Sequence, residues 1–509
     1  MTQKQYAIIF GDNFIGYDQE FFNDSGANFQ GRLKGYNKPI RMGIARSTGA
    51  HRVATLLREQ NIETEVVDFF SDFEFDELVK ILDFYKNKNL IMIGFSVVLN
   101  TFNEDLINNF VNFIRNNFSK TKIIVGGQRP WEKGVRNADL YLEGYIESAV
   151  DKLLLYLNND TNHGFHIEEY DKIKYVNCTK NYPLSDTKKL RNVYSHSDFI
   201  DPSESLALEV SRGCIFACKF CDFPLLGRKK NDYVRDEDDL YEELLYNYKM
   251  FGTKSYYIAD ETYNESINKV QSLLNVSKRL NFKLELMAFI RLDLLDSLEN
   301  TLEMCYETGF RAFSIGIESF SEKASKTIGK GYNGKKGKSY LTHIKTKYPD
   351  ISLNCSFVVG LPEESSQEVI DSIEWANNSQ IIDSWTVSTL NIAENPVSFQ
   401  SYFAKNWAMY GYKKVSVDEF GNIIWKNKYY TYEEATNLTN KLNGYHYDNK
   451  KMNGWHAFTT TALGFKLDQM LFHKRSDKKL MIKLYKLSTK FVNDYKSKKI
   501  QYFDNLSSK

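Results

Sequence analysis

Cysteine is scarce in this chain. Six occur in 509 residues, and Cys178, Cys305 and Cys355 lie far from one another and from the rest. That scatter excludes a disulfide framework and suits a reducing compartment. Long apolar runs are missing too. No stretch approaches the length of a membrane span, and the start Met1-Thr2-Gln3-Lys4-Gln5 has no secretory pattern. The expectation is a cytoplasmic protein with no membrane partner. An excess of one charge is also lacking. With 66 Lys/Arg against 65 Asp/Glu the net charge is +1, so composition alone names no polyanionic partner. Internal repeats and long low-complexity segments are absent.

Hydrophobic residues make up 42% of the chain, enough for packed cores, and the length suits roughly two to four domains. Charge is unevenly placed. From residue 401 onward there are 20 Lys/Arg against 9 Asp/Glu, so the tail is basic. The plain reading of that tail is a solvated Lys-rich surface; the sharper one is contact with an anionic substrate or nucleic acid.

The most informative stretch is Ser211-Arg212-Gly213-Cys214-Ile215-Phe216-Ala217-Cys218-Lys219-Phe220-Cys221. Leu206 to Val210 before it reads as a buried strand, which puts the C-x3-C-x2-C pattern on the loop leaving that strand. Thiolates suit iron–sulfur clusters or zinc. A structural zinc site needs a fourth nearby ligand, and none follows at short spacing. A four-iron cluster on three thiolates leaves one iron open to a substrate. Three unrelated buried cysteines, or a zinc loop, are the plainer readings.

This loop resembles the radical S-adenosylmethionine (radical SAM) family in Cys214, Cys218, Cys221, the aromatic Phe220 and the Ser-Arg-Gly lead-in. The resemblance implies a [4Fe-4S] cluster ligated by those cysteines, whose open iron chelates S-adenosylmethionine (SAM). It implies reductive cleavage of SAM to a 5′-deoxyadenosyl radical, and an external electron donor such as a flavodoxin or ferredoxin.

Before this loop, apolar strands alternate with helical spacing. Strands are expected at Tyr6–Phe10, Ile62–Phe69, Leu90–Val98, Lys122–Val125 and Leu140–Leu142, and helices at Ala50–Gln60, Phe75–Tyr85, Phe102–Phe118 and Ile146–Leu157. That alternation predicts an α/β domain over residues 1–157, a doubly wound, flavodoxin- or Rossmann-like parallel sheet. It resembles the cobalamin-binding domain that precedes many radical SAM domains, in the run Gly49–Ala54, Ser96, Gly126-Gly127 and Glu143–Glu147. The resemblance implies that Ser96, Gly126 and Gly127 surround the nucleotide tail of cobalamin. The Asp-x-His-x-x-Gly motif is absent, and His51 sits inside a helix pattern. Two alternatives stay open: cobalamin without a histidine ligand, or a domain that keeps only the shell. Residues 158–204 read as a polar connector.

Residues 205–398 continue with strands ending at Asp260-Glu261, Arg291, Glu318-Ser319 and Gly360-Leu361-Pro362, each followed by a helix. Six such units match the partial (β/α)6 TIM-type barrel of the family, where sites lie at strand ends. The resemblance places Asp260 and Glu261 toward the SAM amino group, Arg291 toward SAM, Glu318 and Ser319 near it, and Val358–Pro362 near its adenine. Arg228-Lys229-Lys230 reads as a solvated loop. Residues 399–509 are expected to be mainly helical, with a hairpin around Gly421-Asn422 and helices at Thr431–Leu442, Trp455–Phe472 and Lys478–Tyr495. In relatives such a region caps the barrel mouth; here Tyr445, Trp455 and His456 are candidates for a pocket.

The expected function is radical SAM modification of a small or anionic substrate, with methyl transfer if cobalamin binds and rearrangement or cyclisation if it does not. The rivals are a non-catalytic iron–sulfur carrier and a nucleic-acid-binding protein with a zinc loop.

Overall fold

A computed structural model describes residues 4–12, 16–17, 40–41, 43–97, 104–128, 130–132, 134–170, 172–184, 186–221, 233–330, 334–392, 401–418, 422–449, 452–453, 464–466 and 478–508. The candidates Arg228, Lys229, Lys230, Trp455 and His456, the helix Trp455–Phe472 and the side chain of Tyr445 lie outside the described residues.

The first sheet grows around β1 (Gln5–Asp12). Ala7, Ile8, Ile9 and Phe10 are all buried, as a central parallel strand requires. Their side chains alternate: Ile8 and Phe10 join one apolar core, Ala7 and Ile9 the other. β2 (Glu63–Val67), β3 (Asn89–Val97), β4 (Lys122–Gly127), β5 (Leu140–Glu143), β6 (Glu168–Tyr170) and β7 (Ile173–Asn177) complete it in the order β2-β1-β3-β4-β5-β7-β6. All pairs are parallel except β6–β7. α1 (Thr48–Glu59) packs its Ala50, Ala54 and Leu57 into one core. α2 (Phe75–Asp83) and α3 (Glu104–Asn117) pack Leu78, Ile81, Phe110 and Ile114 into the other. The sheet is doubly wound. Two details differ from expectation. β6 and β7 come from the stretch read as a connector, and Gly126-Gly127 end a strand rather than follow one.

The second sheet takes β8 (Ser205–Leu208), β9 (Ser255–Ile258), β10 (Glu285–Ile290), β11 (Phe310–Glu318), β12 (Ser352–Val359) and β13 (Ser384–Thr389) in sequence order, all parallel. The two-residue strand Met452–Asn453 adds to β13. α4 (Glu237–Phe251), α5 (Ile267–Arg279), α6 (Thr301–Thr308), α7 (Gly334–Lys347) and α8 (Ser366–Asn378) connect successive strands. Sequential parallel order with helical crossovers is the construction of a partial barrel.

The hairpin forms as β14 (Lys413–Val417) and β15 (Ile423–Lys426). α9 (Tyr432–Asn449) follows. The last helix, α10 (Lys478–Ser507), folds back onto the first sheet and away from the expected place at the barrel mouth. Its Val492, Tyr495 and Phe503 enter the first-sheet core, with the Tyr495 ring 5.1 Å edge-on to Phe69. Part of its basic charge is spent internally: Lys499 is buried against Glu65, and Lys496 pairs with Glu77. Among the described residues no helix is long and apolar enough to cross a membrane.

One buried cation ties these parts together. Arg46 binds both oxygens of Glu204 at 2.8 Å, Asp68 at 3.1 Å and the carbonyls of Asp198 and Phe199, and its guanidinium lies 4.9 Å from the Tyr495 ring centroid. It therefore joins the first sheet, the stretch leading to β8 and α10 around one bidentate fork.

Candidate functional site

The chain leaves β8 into the cysteine loop, whose backbone N–H groups have no strand to pair with. Carboxylates take three of them. Val210 N donates to Asp260 Oδ1 at 2.8 Å, Gly213 N to Glu261 Oε2 at 3.0 Å and Ile215 N to Glu265 Oε2 at 3.0 Å. All three acids follow β9. Gly213 has φ +77°, a left-handed turn that favours glycine.

Fully buried Lys269, on α5, offsets this negative charge. Its Nζ lies 2.7 Å from Asp260 Oδ2 and 3.0 Å from Glu265 Oε1, and donates to Thr262 O at 2.9 Å and Ser211 Oγ at 2.5 Å. Burial alone would lower its pKa, but Asp260 and Glu265 outweigh that and raise it. Asp260 thus departs from the expectation for a SAM contact. Both its oxygens are engaged behind the loop, by Val210, Ser211 and Lys269, and it is 1% exposed.

Arg291, at the end of β10, faces the cysteines. Its Nη1 donates to Cys218 Sγ at 3.3 Å, its fork grips Asp293 at 3.1 and 2.8 Å, and its guanidinium lies 4.2 Å from the Phe216 ring centroid. Cys214 Sγ is 3.5 Å from Thr262 Oγ1, and burial pushes its thiol up. Cys221 N donates to Cys218 O, closing a tight turn, and Phe220 packs half-buried on the barrel core. Lys219 N donates to Ile328 O at 3.0 Å, while Lys219 O accepts from Phe403 N at 2.8 Å. The loop is thus held from both sides. Among the described residues no three His, Cys, Asp or Glu side chains are already closed around a metal position.

Beside the loop a cleft is lined by Leu292, Asp293, Gly316, Ile317, Ser319 and Lys330, among others. Glu318 ends β11 at φ +63°, a conformation that non-glycine residues hold only where surroundings impose it. Lys330 Nζ reaches Glu318 Oε1 at 3.3 Å and donates to Gly316 O at 2.9 Å. A Cβ on Gly316 would fall 2.4 Å from Glu318 Oε1 and 3.0 Å from Lys330 Nζ, so any other residue here would push this pair aside. Ser319 Oγ donates to Glu364 Oε1 and accepts from Ser321 N at 2.9 Å. Glu318, Ser319, Lys330 and Arg291 are therefore brought to one mouth. The Gly360 turn lies against the hairpin: Tyr412 Oη donates to Gly360 O at 2.7 Å, and Trp425 fills the space a Cβ would take.

In the first sheet, Gly11, Ser96 and Gly126 occupy one rung at the carboxyl ends of β1, β3 and β4, and Gly127 the next, at φ +147°. Ser47 Oγ donates to Ser96 Oγ at 2.9 Å. Among the described residues a Cβ on Gly126 would meet only Leu142 O, at 3.9 Å, so this rung is open on that side. His51 is elsewhere: it is buried with Nε2 2.9 Å from Asp68 and its ring 4.6 Å from that of Tyr194. It serves the domain junction.

Residues 208–376 match the Radical SAM superfamily. The chain carries a radical SAM domain. Such a domain implies a [4Fe-4S] cluster and SAM. The donor set fits: three soft thiols on one loop, with a cation 3.3 Å from one sulfur and a polar cleft alongside. Curated relatives include the ribosomal protein uS12 methylthiotransferase RimO of Thermosipho melanesiensis, 24% identical over 190 residues, covering 36% of this chain and 44% of that protein. RimO of Thermotoga petrophila is 26% identical over 191 residues, covering 35% and 42%. The chain thus spans less than half the length of these relatives. Among solved structures, the radical SAM methyltransferase TsrM from Kitasatospora setae, with tryptophan substrate and a SAM analogue bound, aligns at a TM-score of 0.57 and 13% identity over 81% of this chain and 79% of that one. The cobalamin-dependent SAM radical enzyme OxsB, with aqua-cobalamin and SAM bound, aligns at 0.52 and 15% over 79% and 56%. These likenesses show a shared fold of both sheets.

Several residues of the site escape a reading of the sequence. Glu265 and Lys269 stand four apart at the start of a helix, a spacing that usually marks a solvated pair. Glu364 follows an exposed-looking Glu363 in a loop. Glu147, which receives Arg212 of the loop lead-in, sits far upstream.

Proposed function

We propose that this protein is a radical SAM enzyme whose first sheet binds cobalamin and whose reaction is methyl transfer to a small or anionic substrate. The cysteine loop carries the radical SAM reading: its backbone is clamped by Asp260, Glu261 and Glu265, and its Cys218 sulfur meets Arg291 beside the cleft. Cys214, Cys218 and Cys221 would hold the cluster. When bound, cluster and SAM supply one-electron reductive cleavage of the sulfonium; the chain binds, orients and excludes water.

In that reading Lys330 and Arg291 set positive charge beside the SAM carboxylate, and Glu318 and Ser319 present oxygens to its polar groups. Glu261, bonded through one oxygen to Gly213 N, keeps the loop in place. The open side of Gly126, with Ser96 on the same rung and Gly127 on the next, supports cobalamin in the first sheet, because glycine lets a ligand approach the backbone. His51 does not serve the cobalt. A flavodoxin- or ferredoxin-type carrier would supply electrons.

The test is anaerobic reconstitution with iron and sulfide, then reductant and SAM with and without cobalamin. S-adenosylhomocysteine and cobalamin-dependent turnover support methyl transfer. 5′-Deoxyadenosine formed equally without cobalamin points to rearrangement or cyclisation. A loaded cluster with no bound SAM contradicts the reading.

A further inference from the structure

Among the described residues, one buried acid at the barrel mouth has no cation. Glu364 follows the Gly360–Glu363 turn and is 1% exposed. Among the described residues its Oε1 bonds Ser319, its Oε2 has no hydrogen-bond partner, and no Lys, Arg or His pairs with it. The groups facing it are Ser319 at the end of β11, Tyr412 before β14, Tyr430 after β15 and Glu368 on α8. None is positive. Burial pushes its carboxyl up to about 8, with the Ser319 hydroxyl pulling it down and Glu368 pushing it further up.

Ser319 stands between this acid and the cleft it lines. A hydroxyl has one proton and two lone pairs. One lone pair already takes the N–H of Ser321 at 2.9 Å. With Glu364 ionised, the Ser319 proton goes to Glu364, and the remaining lone pair is an acceptor. With Glu364 protonated, the acid's proton goes to Ser319 Oγ, and the Ser319 proton is released as a donor.

We propose that Glu364 is a positioning residue that sets whether Ser319 offers the cleft a hydrogen-bond donor or an acceptor. The inference rests on reading the cleft as the SAM site. Neutral Glu364 makes Ser319 a donor, which suits the carboxylate or the adenine ring nitrogens of SAM. Ionisation reverses that polarity and weakens binding.

The experiment uses the full chain with its cluster reconstituted anaerobically. SAM affinity is measured by equilibrium dialysis from about pH 6.5 to 9.5 for the wild type, Glu364→Gln and Ser319→Ala. The titration of the SAM ammonium, also at about 8, is common to all three proteins and is removed by taking the ratio of affinities at each pH. Relative to Glu364→Gln, which cannot ionise, the wild-type affinity falls about three- to tenfold through one titration centred near 8. Glu364→Gln loses the infrared carbonyl band of a protonated carboxylic acid; Ser319→Ala, which removes one oxygen, keeps that band and gives a ratio to Glu364→Gln that does not change with pH. SAM binding with a wild-type profile parallel to that of Glu364→Gln overturns this inference alone. No SAM binding at any pH overturns the reading of the cleft and this inference with it.

Discussion

Glu147 and Arg212 are joined across the two sheets. Arg212 Nη1 donates to Glu147 Oε1 at 2.6 Å, and the same oxygen accepts from Arg52 Nε at 3.1 Å. Arg212 stands two residues before the first cysteine of the loop, with its fork on Glu209 and its guanidinium 4.2 Å from the Tyr145 ring centroid. The first sheet thus bears directly on the lead-in to the cysteine loop. Burial would raise the Glu147 carboxyl, but Arg212 and Arg52 hold it below its ordinary range.

Breaking this pair leaves a buried charge without its partner. Arg212→Ala should cost about 3–5 kcal/mol of stability and reduce iron loading. Arg212→Lys should recover little, because an ammonium cannot grip Glu209 and Glu147 together. Urea melts and iron assays after anaerobic reconstitution check both. Unchanged stability and iron content would remove the seam from the account.

Lys269 makes a sharper case, because two buried carboxylates depend on it. Lys269→Met should cost about 3–5 kcal/mol and free the loop N–H groups, so that the cluster loads poorly even in protein that stays soluble. Full loading in a stable Lys269→Met variant would show that the clamp is dispensable.

At the domain junction, burial would raise the Asp68 carboxyl, but His51 and Arg46 hold it well below its ordinary range. A lowered folded pKa means that the unfolded chain binds more protons. The associated stability is present above the unfolded value of about 3.9 and lost as pH falls toward the folded one. Stability measured below about pH 5 should therefore fall steeply in the wild type and less steeply in Asp68→Asn. His51→Ala should weaken the junction and leave the glycine rung unchanged, since His51 lies off it.

Gly360 is constrained twice. It holds φ +95°, and an added Cβ would sit 2.4 Å from the Trp425 ring. Gly360→Ala should cost about 1–3 kcal/mol for the backbone, with a further loss where the hairpin is displaced. A melting temperature equal to wild type would contradict this packing.

Much of this fold is legible along the chain because parallel strands are short apolar runs and their helices are amphipathic. Tyr6–Phe10, Leu90–Val98 and Ser352–Val359 are recognisable by that rule alone. The cysteine spacing and the strand-end acids mark the site. What stays hidden depends on long-range partners. Asp260 reads as a ligand contact until Lys269 and Val210 N are seen to occupy it. β6 and β7 are polar at the sheet edge, so their pattern is weak. α10 looks like a basic cap, yet its Tyr495 and Phe503 complete the core of the first sheet, at the far end of the chain.

The central claim is that the loop of Cys214, Cys218 and Cys221 holds a cluster that cleaves SAM. It is tested most directly by reconstituting the wild type and Cys218→Ala side by side under anaerobic conditions, then adding reductant and SAM. The account predicts iron and sulfide in the ratio of a [4Fe-4S] cluster and SAM cleavage in the wild type, with both lost in Cys218→Ala. A wild-type protein that takes up zinc and no iron, or a Cys218→Ala variant that cleaves SAM as well as the wild type, would contradict it.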